Sequence, residues 1–383
     1  MQPEIQTINL VRLCSGDNLA LQIYQFRGKH PGKKIYIQAN LHGAEIVGNA
    51  VIQALLSWLS SLAEEQLVGE IWLVPACNPM GMNQRSHFFS PGRYNSYDGK
   101  DWNRIFWEYH PEETELNRFV QDHLASSPET VSQNYQQRIE QSFQAEKEGS
   151  NQPSGAPFSV RYQQTLQSLC LDADVVIDIH SSSNQGIDYL FAFPNQEHSA
   201  NAFLLDVGFL VKEPEGCTFD EAFIKPWLSL ERAFAKFGRE IHFGLASWTL
   251  ELGSGMNANR PSVEKGIKGI KNYLASQNVV NVSEFPLPET DTYGIDLVDK
   301  TQLKKYYATT GGIIQNPPPL KSKVVAGDCL YQILQFNKEG TKPELISVPA
   351  EASGMIFDLG TNQAVNEGEY VLSVLERGTN NDS

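Results

Sequence analysis

The chain has 383 residues, and at about 100–200 residues per domain this length predicts two domains or three. Its formal net charge of −15, which no basic tract offsets, argues against nucleic acid or an anionic membrane surface as a partner. The five cysteines are odd in number, widely spread and without a C-x-x-C pair, which favours reduced thiols in the cytoplasm. We expect no secretory signal at the start of the chain and no bilayer-spanning apolar run.

The first clear element is a strand followed directly by a helix. Lys34–Gln38 has an apolar centre and predicts a strand, and Ile46–Leu62 has apolar residues at helical spacing. Between them lies Asn40–Glu45, which places His42 and Glu45 at the end of the strand, where ligands bind in open α/β sheets. An imidazole and a carboxylate at this position suit zinc. A surface histidine and a carboxylate favoured by the helix dipole would give the same pattern.

The alternation of strands and helices continues along the chain. Glu70–Ala76 predicts a second strand, and the segment that follows, Met80–Arg104, has no helical period. Loops of this length in a compact domain are often functional. Five side chains of this loop are candidates for function: Arg85, Arg93, Asp101, Asn103 and Arg104.

A polar insertion then interrupts the pattern. Residues 125–157 are rich in Ser, Gln and Glu, and we expect a solvated segment with one helix. Beyond it, Asp174–Ile179 is the clearest buried strand of the chain, and it ends at His180. Ser247–Leu250 predicts a short strand that ends at Glu251.

Continuous apolar strands that alternate with helices predict an α/β domain over residues 1–285, with a mixed, largely parallel sheet covered by helices. Composition changes at Phe285–Pro288, and residues 290–383 consist of predicted strands and turns with a weak internal repeat. This second part predicts a small all-β sandwich or barrel, and it resembles the biotinyl/lipoyl module. Its turn Pro349–Ser353 lacks the lysine that such carriers modify, so we predict no carrier function.

Four strand ends predict one common site, because parallel strands place their carboxyl ends at the same edge of a sheet. His42, Glu45 and His180 would form the ligand set of a catalytic zinc with one position open for water. Zinc lowers the pKa of such a water to about 7 and polarises a carbonyl group. Glu251 would then serve as general base and protonate the leaving nitrogen. An arginine would stabilise the oxyanion, and an adjacent Asn–Arg pair suits a substrate carboxylate.

Taken together, these residues resemble the succinylglutamate desuccinylase/aspartoacylase family, a branch of the zinc carboxypeptidase-like fold. The resemblance extends over most of Lys34–Gly255, and no single motif is specific by itself. It rests on six segments in the order of the family: Asn40–Glu45, Asn78–Gly81, Gly92–Tyr94, Asp98–Arg104, Asp178–His180 and Leu250–Gly253.

The resemblance implies one zinc ion per chain and a role for each of seven residues. These are the zinc ligands His42, Glu45 and His180, the catalytic carboxylate Glu251, Arg93 at the oxyanion, and Asn103 with Arg104 on the substrate carboxylate. Arg85 lies in the same loop and competes with Arg93 for the oxyanion.

We therefore predict a cytoplasmic, zinc-dependent hydrolase of a non-peptide C–N bond, which removes an acyl group from an N-acyl amino acid. Its partner would be a small amide that carries a carboxylate. Two alternatives stay open. One is a metallo-carboxypeptidase acting on peptide C-termini, which Asn103 and Arg104 would serve equally well, and the other is a non-catalytic zinc-binding protein. The sequence leaves the oligomeric state open, a homo-oligomer included.

Overall fold

The apolar runs of the sequence form strands, and the segments with helical spacing form helices, in a computed structural model that describes residues 1–214, 216–287 and 294–376. The strands are β1 (Glu4–Arg12), β2 (Asn18–Arg27), β3 (His30–Ala39), β4 (Val68–Val74), β5 (Val175–Ser182), β6 (Gln185–Gly186), β7 (Tyr189–Ala192), β8 (Val207–Leu210), β9 (Ala246–Ser254), β10 (Asp296–Val298), β11 (Leu303–Tyr307), β12 (Gly312–Gln315), β13 (Lys323–Val324), β14 (Cys329–Gln335), β15 (Glu344–Pro349), β16 (Gly354–Leu359), β17 (Ala364–Val365) and β18 (Tyr370–Glu376).

The helices are α1 (Val47–Ser61), α2 (Pro79–Asn83), α3 (Glu113–His123), α4 (Pro128–Glu148), α5 (Phe158–Gln167), α6 (Glu197–Ala200), α7 (Phe219–Lys236) and α8 (Arg260–Ser276). Short 3₁₀ turns lie at Glu64–Gln66, Gly149–Asn151, Asn201–Phe203 and Lys300–Gln302. Among the residues described, no helix combines the length and the hydropathy that crossing a membrane requires.

A mixed sheet forms the centre of the fold, with the strand order β1-β2-β4-β3-β5-β9-β7-β8-β10 in the described chain. The strands β4, β3, β5 and β9 are mutually parallel. Strand β7 runs antiparallel to β9. Strands β7, β8 and β10 are parallel to one another. The hairpin of β1 and β2 closes one edge of the sheet.

Helices cover both faces of this sheet, as the continuous burial of the second half of β3 requires. Ile35 and Ile37 pack into the core that contains Val51 of α1 and Ile270 of α8. Tyr36, between them in the chain, points to the opposite face, into the core that includes residues of α5 and α7. The predicted α/β class is therefore confirmed.

The C-terminal region is built from two antiparallel sheets, β11-β18-β16-β13 and β15-β14-β12-β17, around a core of their own. It is joined to the first part of the chain by two strand pairings: β10 pairs with β8 of the larger sheet, and β6, which lies between β5 and β7 in the chain, pairs with β16. The small all-β part of the predicted fold is confirmed. The predicted limit at residue 290 and the last residues, 377–383, lie outside the described residues.

The predicted insertion at residues 125–157 contains α4, and one face of this helix is buried. Its buried residues recur every fourth position: Val131, Tyr135, Ile139 and Phe143. The ring of Tyr135 packs edge-on against Trp227 of α7, with a centroid distance of 5.3 Å. The expectation that this segment is solvated therefore holds for one face of α4 only, because helical spacing gathers its few apolar residues on the other face.

Candidate metal centre and pocket

The loop between β3 and α1 carries two of the predicted ligands, His42 and Glu45. It begins at Asn40, whose φ of 71° lies in the left-handed region that asparagine tolerates better than most residues. The buried side-chain amide of Asn40 donates to the carbonyl oxygens of His42, Gly43 and Glu45 at 3.2, 3.2 and 3.3 Å. One side chain thus fixes the backbone of the loop from which both ligands project.

Three glycine backbones pack together beside this loop. The Gly43 amide donates to the Gly92 carbonyl at 2.8 Å, and a Cβ at Gly43 would lie 2.1 Å from the Gly81 carbonyl oxygen. A Cβ at Gly92 would lie 2.4 Å from the same oxygen. Only glycine permits this approach. The contact holds the long loop after β4, which carries Arg93, against the loop that carries His42.

His42, Glu45 and His180 meet in one cluster and are at most 3% exposed. Nδ1 of His42 lies 2.9 Å from Oε1 of Glu45, and Nδ1 of His180 lies 2.7 Å from Oε2 of the same carboxylate. Ligand atoms of the three residues lie within 4.8 Å of one another, so one ion can reach all of them. Two imidazoles and one carboxylate are the ligand set of many catalytic zinc sites.

A carboxylate holds each imidazole ring from the opposite side. Nε2 of His42 lies 2.9 Å from Oδ1 of Asp101, and Nε2 of His180 lies 2.8 Å from Oδ2 of Asp178. Such a partner fixes the ring orientation and leaves the other nitrogen for the metal, as in carboxylate–histidine–zinc groupings. These residues therefore fit a divalent metal ion such as zinc.

The same contacts shift the pKa values of the cluster. Burial opposes the charged imidazole, but Asp178 and Glu45 outweigh it and raise the pKa of His180 well above its ordinary value. Burial also opposes ionisation of Glu45, but the two histidines outweigh it and lower the pKa of this carboxyl. Glu45 is therefore ionised near neutral pH, which is the form that binds a metal ion.

Glu251 lies beside the cluster as the register partner of His180 on the neighbouring strand β9. Its Oε2 is buried and has no hydrogen-bond partner among the described residues. Burial raises the pKa of Glu251 to about 7, with His180 opposing the shift and Glu45 adding to it. A carboxyl group with a pKa near the working pH both accepts and donates a proton readily.

Of the two candidate arginines, Arg93 and not Arg85 lies at the cluster. Nε of Arg93 is 3.1 Å from Oδ2 of Asp101, and its Nη1 is 3.5 Å from Nδ1 of His42. Arg85 instead donates to two backbone carbonyls of its own loop, at 2.6 and 2.7 Å. The geometry favours Arg93 for contact with a substrate oxygen at the cluster.

Asn103 and Arg104 differ in what they can bind. Oδ1 of Asn103 accepts from the backbone N–H of Phe219 at 2.8 Å, at the start of α7, and Nδ2 lies 3.5 Å from Nε2 of His180. The carbonyl group of Asn103 is thus engaged within the protein. Arg104 is exposed, and it forms no ion pair with the part of the chain that the structure describes. Its Nη1 donates to the backbone carbonyl of Asn103 at 2.6 Å, and the other N–H groups of the guanidinium are available to an anion.

A cavity of about 410 Å³ opens above the cluster, and all seven predicted site residues line it. No described residue of the 125–157 insertion contributes to its wall. Sequence reasoning missed several lining residues from β7, the start of α7 and the C-terminal region: Tyr189, Phe191, Asp220, Glu221, Lys300 and Lys305.

The fold and the site define a class, an α/β protein with a candidate His–Glu–His metal site at the carboxyl ends of its strands. A sequence model of the succinylglutamate desuccinylase/aspartoacylase catalytic domain matches residues 31–277. The chain therefore belongs to the succinylglutamate desuccinylase/aspartoacylase family, as the sequence motifs predict. No curated protein matches the sequence.

Solved structures of other proteins are similar to this structure along nearly the whole chain. A succinylglutamate desuccinylase/aspartoacylase family protein from Shewanella amazonensis SB2B is 27% identical with a TM-score of 0.86, over 97% of this chain and 98% of that one. A protein of the same description from Shewanella frigidimarina is 25% identical with a TM-score of 0.87, over 98% of each chain. One from Rhodobacter sphaeroides, at 18% identity and a TM-score of 0.68 over 98% and 96% of the two chains, shares the fold.

Proposed function

We propose that this chain is a zinc-dependent amide hydrolase that removes the acyl group from an N-acyl amino acid. The observation that carries the proposal is the common cavity, which brings the His42–Glu45–His180 cluster together with Glu251 and Arg104. Membership of a family of desuccinylases and aspartoacylases supports hydrolysis as the reaction. A zinc ion in the cluster would polarise the substrate carbonyl and lower the pKa of a water molecule.

The residues of the chain supply the remaining steps. Glu251 takes a proton from the attacking water while the new C–O bond forms at the acyl carbon. Arg93 donates to the acyl oxygen as negative charge develops there. Glu251 then passes the proton to the leaving nitrogen as the C–N bond breaks. The products are a carboxylic acid and a free amino acid, so atoms and charges balance.

The substrate of this proposal is a small amide with a carboxylate on its amine side. Arg104 binds that carboxylate through the guanidinium N–H groups that its bond to the Asn103 carbonyl leaves over, and the Asn103 amide nitrogen is the second donor. The proposal divides the chain into a hydrolase domain, residues 1–285, and a β domain, residues 290–383. It places the enzyme in the cytoplasm, which five cysteines without a disulfide support.

The test is amine release by the zinc-loaded protein from a panel of N-acetyl and N-succinyl amino acids, and from short peptides with free or amidated C-termini. Turnover of an acyl amino acid that disappears in Glu251→Gln supports the proposal. Turnover of free-ended peptides alone identifies a metallo-carboxypeptidase. Stoichiometric zinc without turnover of any compound favours the non-catalytic zinc-binding protein.

A further inference from the structure

We infer that Tyr189 is a further substrate-contacting residue, whose hydroxyl donates a hydrogen bond to the α-carboxylate of the leaving amino acid. The inference rests on the proposed function and deepens it, because it names a specificity contact within the same cavity. Tyr189 lines that cavity as the first residue of β7.

The register of the sheet places Tyr189 in line with the reacting groups. His180 on β5 pairs with Glu251 on β9, and Glu251 pairs in turn with Tyr189 on β7. Side chains of directly paired residues lie on the same face of a sheet, and neighbouring strands are about 4.8 Å apart. The row therefore runs from a proposed metal ligand to the proposed base and then to the phenol.

The order His180, Glu251, Tyr189 across the three strands indicates which part of the substrate contacts Tyr189. Arg93 lies at the opposite end, beside His42, where the acyl oxygen is held. Glu251 delivers its proton to the leaving nitrogen, so the leaving amino acid extends one strand beyond Glu251, toward β7. Nζ of Lys300 lies 5.5 Å from the ring centre of Phe191, which also lines the cavity two residues along β7. Lys300 supplies a positive charge on this side, which offsets the carboxylates of Glu251 and Asp358 near Tyr189.

The phenol is rigid and is available as a donor. Its ring packs against Phe357 and Phe209, with centroid distances of 4.9 and 5.5 Å. Tyr189 lines the cavity, and no hydrogen bond joins its hydroxyl to the part of the chain that the structure describes. Burial raises the pKa of Tyr189, and the carboxylates of Glu251 and Asp358 raise it further. The hydroxyl therefore keeps its proton at neutral pH and can donate it to a substrate oxygen.

The experiment uses Tyr189→Phe in the full-length, zinc-loaded protein. The substitution removes only a hydroxyl that binds nothing within the described protein, so a merely structural role predicts no change. The substrates are the N-acyl amino acid that the wild type hydrolyses fastest and the same compound with its α-carboxylate converted to a carboxamide. We expect kcat/KM for the acid to fall about 10- to 100-fold, mainly through KM, and kcat/KM for the carboxamide to fall less, because its neutral oxygen is the weaker acceptor. The melting temperature and the zinc content should stay unchanged.

Tyr370→Phe is the matched control, because the Tyr370 hydroxyl is buried without a partner and lies outside the cavity. It should leave both substrates unaffected. An unchanged kcat/KM in Tyr189→Phe, or equal losses on acid and carboxamide, would overturn the inference and leave the proposed function standing. A wild type that hydrolyses no N-acyl amino acid would reject the proposed function and this inference with it.

Discussion

Glu251 lies directly opposite His180 on the adjacent parallel strand, so a proposed base and a proposed metal ligand share one face of the sheet. Glu251→Gln keeps the side-chain volume and removes the group that carries the proton. We expect kcat to fall about 10²- to 10⁴-fold, with the zinc content unchanged because the three ligands are intact. Steady-state kinetics and metal analysis measure both quantities. Glu264→Gln, at an exposed glutamate of α8 that pairs with Arg260, is the control. Near-normal turnover in Glu251→Gln would reject its role.

The candidate metal cluster could be predicted from the sequence because its residues lie at or near the carboxyl ends of strands of one parallel group. Apolar runs mark these strands; His42 follows β3, and His180 and Glu251 lie within the last four residues of β5 and β9. The rule that parallel strands share an edge then brings them together without any knowledge of loops. The sequence marks Asp101 as a candidate functional residue of its loop but does not predict its contact with His42, because that contact depends on the path of a long loop without periodicity.

Tyr189 could not be found by that rule. Strand β7 runs antiparallel to β9, so it is the first residue of β7, and not the last, that lies beside Glu251 at the cavity. The sequence of a four-residue apolar strand such as β7 does not indicate whether the strand runs parallel or antiparallel to its neighbours. The lining residues Lys300 and Lys305 were missed for a related reason, since they belong to the region beyond the predicted domain boundary.

Asp178 supports His180 from behind, and this contact should set the affinity for the metal. Asp178→Asn keeps the shape of the side chain but removes the charge 2.8 Å from Nε2 of His180. We expect zinc affinity, measured by competition with a chelator, to fall about 10- to 100-fold. Asp174→Asn is the control, because Asp174 lies just before the other end of β5 and accepts from the backbone of Lys34. Equal zinc affinities in Asp178→Asn and the wild type would contradict the supporting role.

Gly43 is expected to tolerate no side chain. In Gly43→Ala the new Cβ would lie 2.1 Å from the Gly81 carbonyl oxygen, so the loops carrying His42 and Arg93 must separate. We expect the free energy of unfolding to fall by about 1–3 kcal/mol or more, and zinc affinity to fall with it. Denaturant unfolding and zinc competition measure the two effects. Gly149→Ala, where a Cβ meets nothing within 4 Å and φ is −69°, should change stability by no more than about 0.5 kcal/mol. If Gly43→Ala behaves like this control, the glycine packing is not required.

Asp206 should give the stability of the protein a pH dependence in the acid range. The hydrogen bond from Lys321 in the C-terminal region, at 2.9 Å, lowers the pKa of Asp206, and Lys265 at 3.5 Å adds to this shift. Because the folded pKa is the lower one, this stabilisation is complete above the unfolded pKa of about 3.9 and is lost as the pH falls through the folded value. Asp206→Asn removes it at every pH.

We therefore expect the melting temperature of the wild type to exceed that of Asp206→Asn at pH 7, and the difference to shrink between pH 5 and pH 3. Both side chains of the pair are at least half exposed, so the effect is small and added salt should reduce it. Lys321→Ala removes the other partner of the same ion pair, and its deficit should follow the same pH course. A difference that stays constant from pH 7 to pH 3 would show that this ion pair does not stabilise the contact between the large sheet and the C-terminal region.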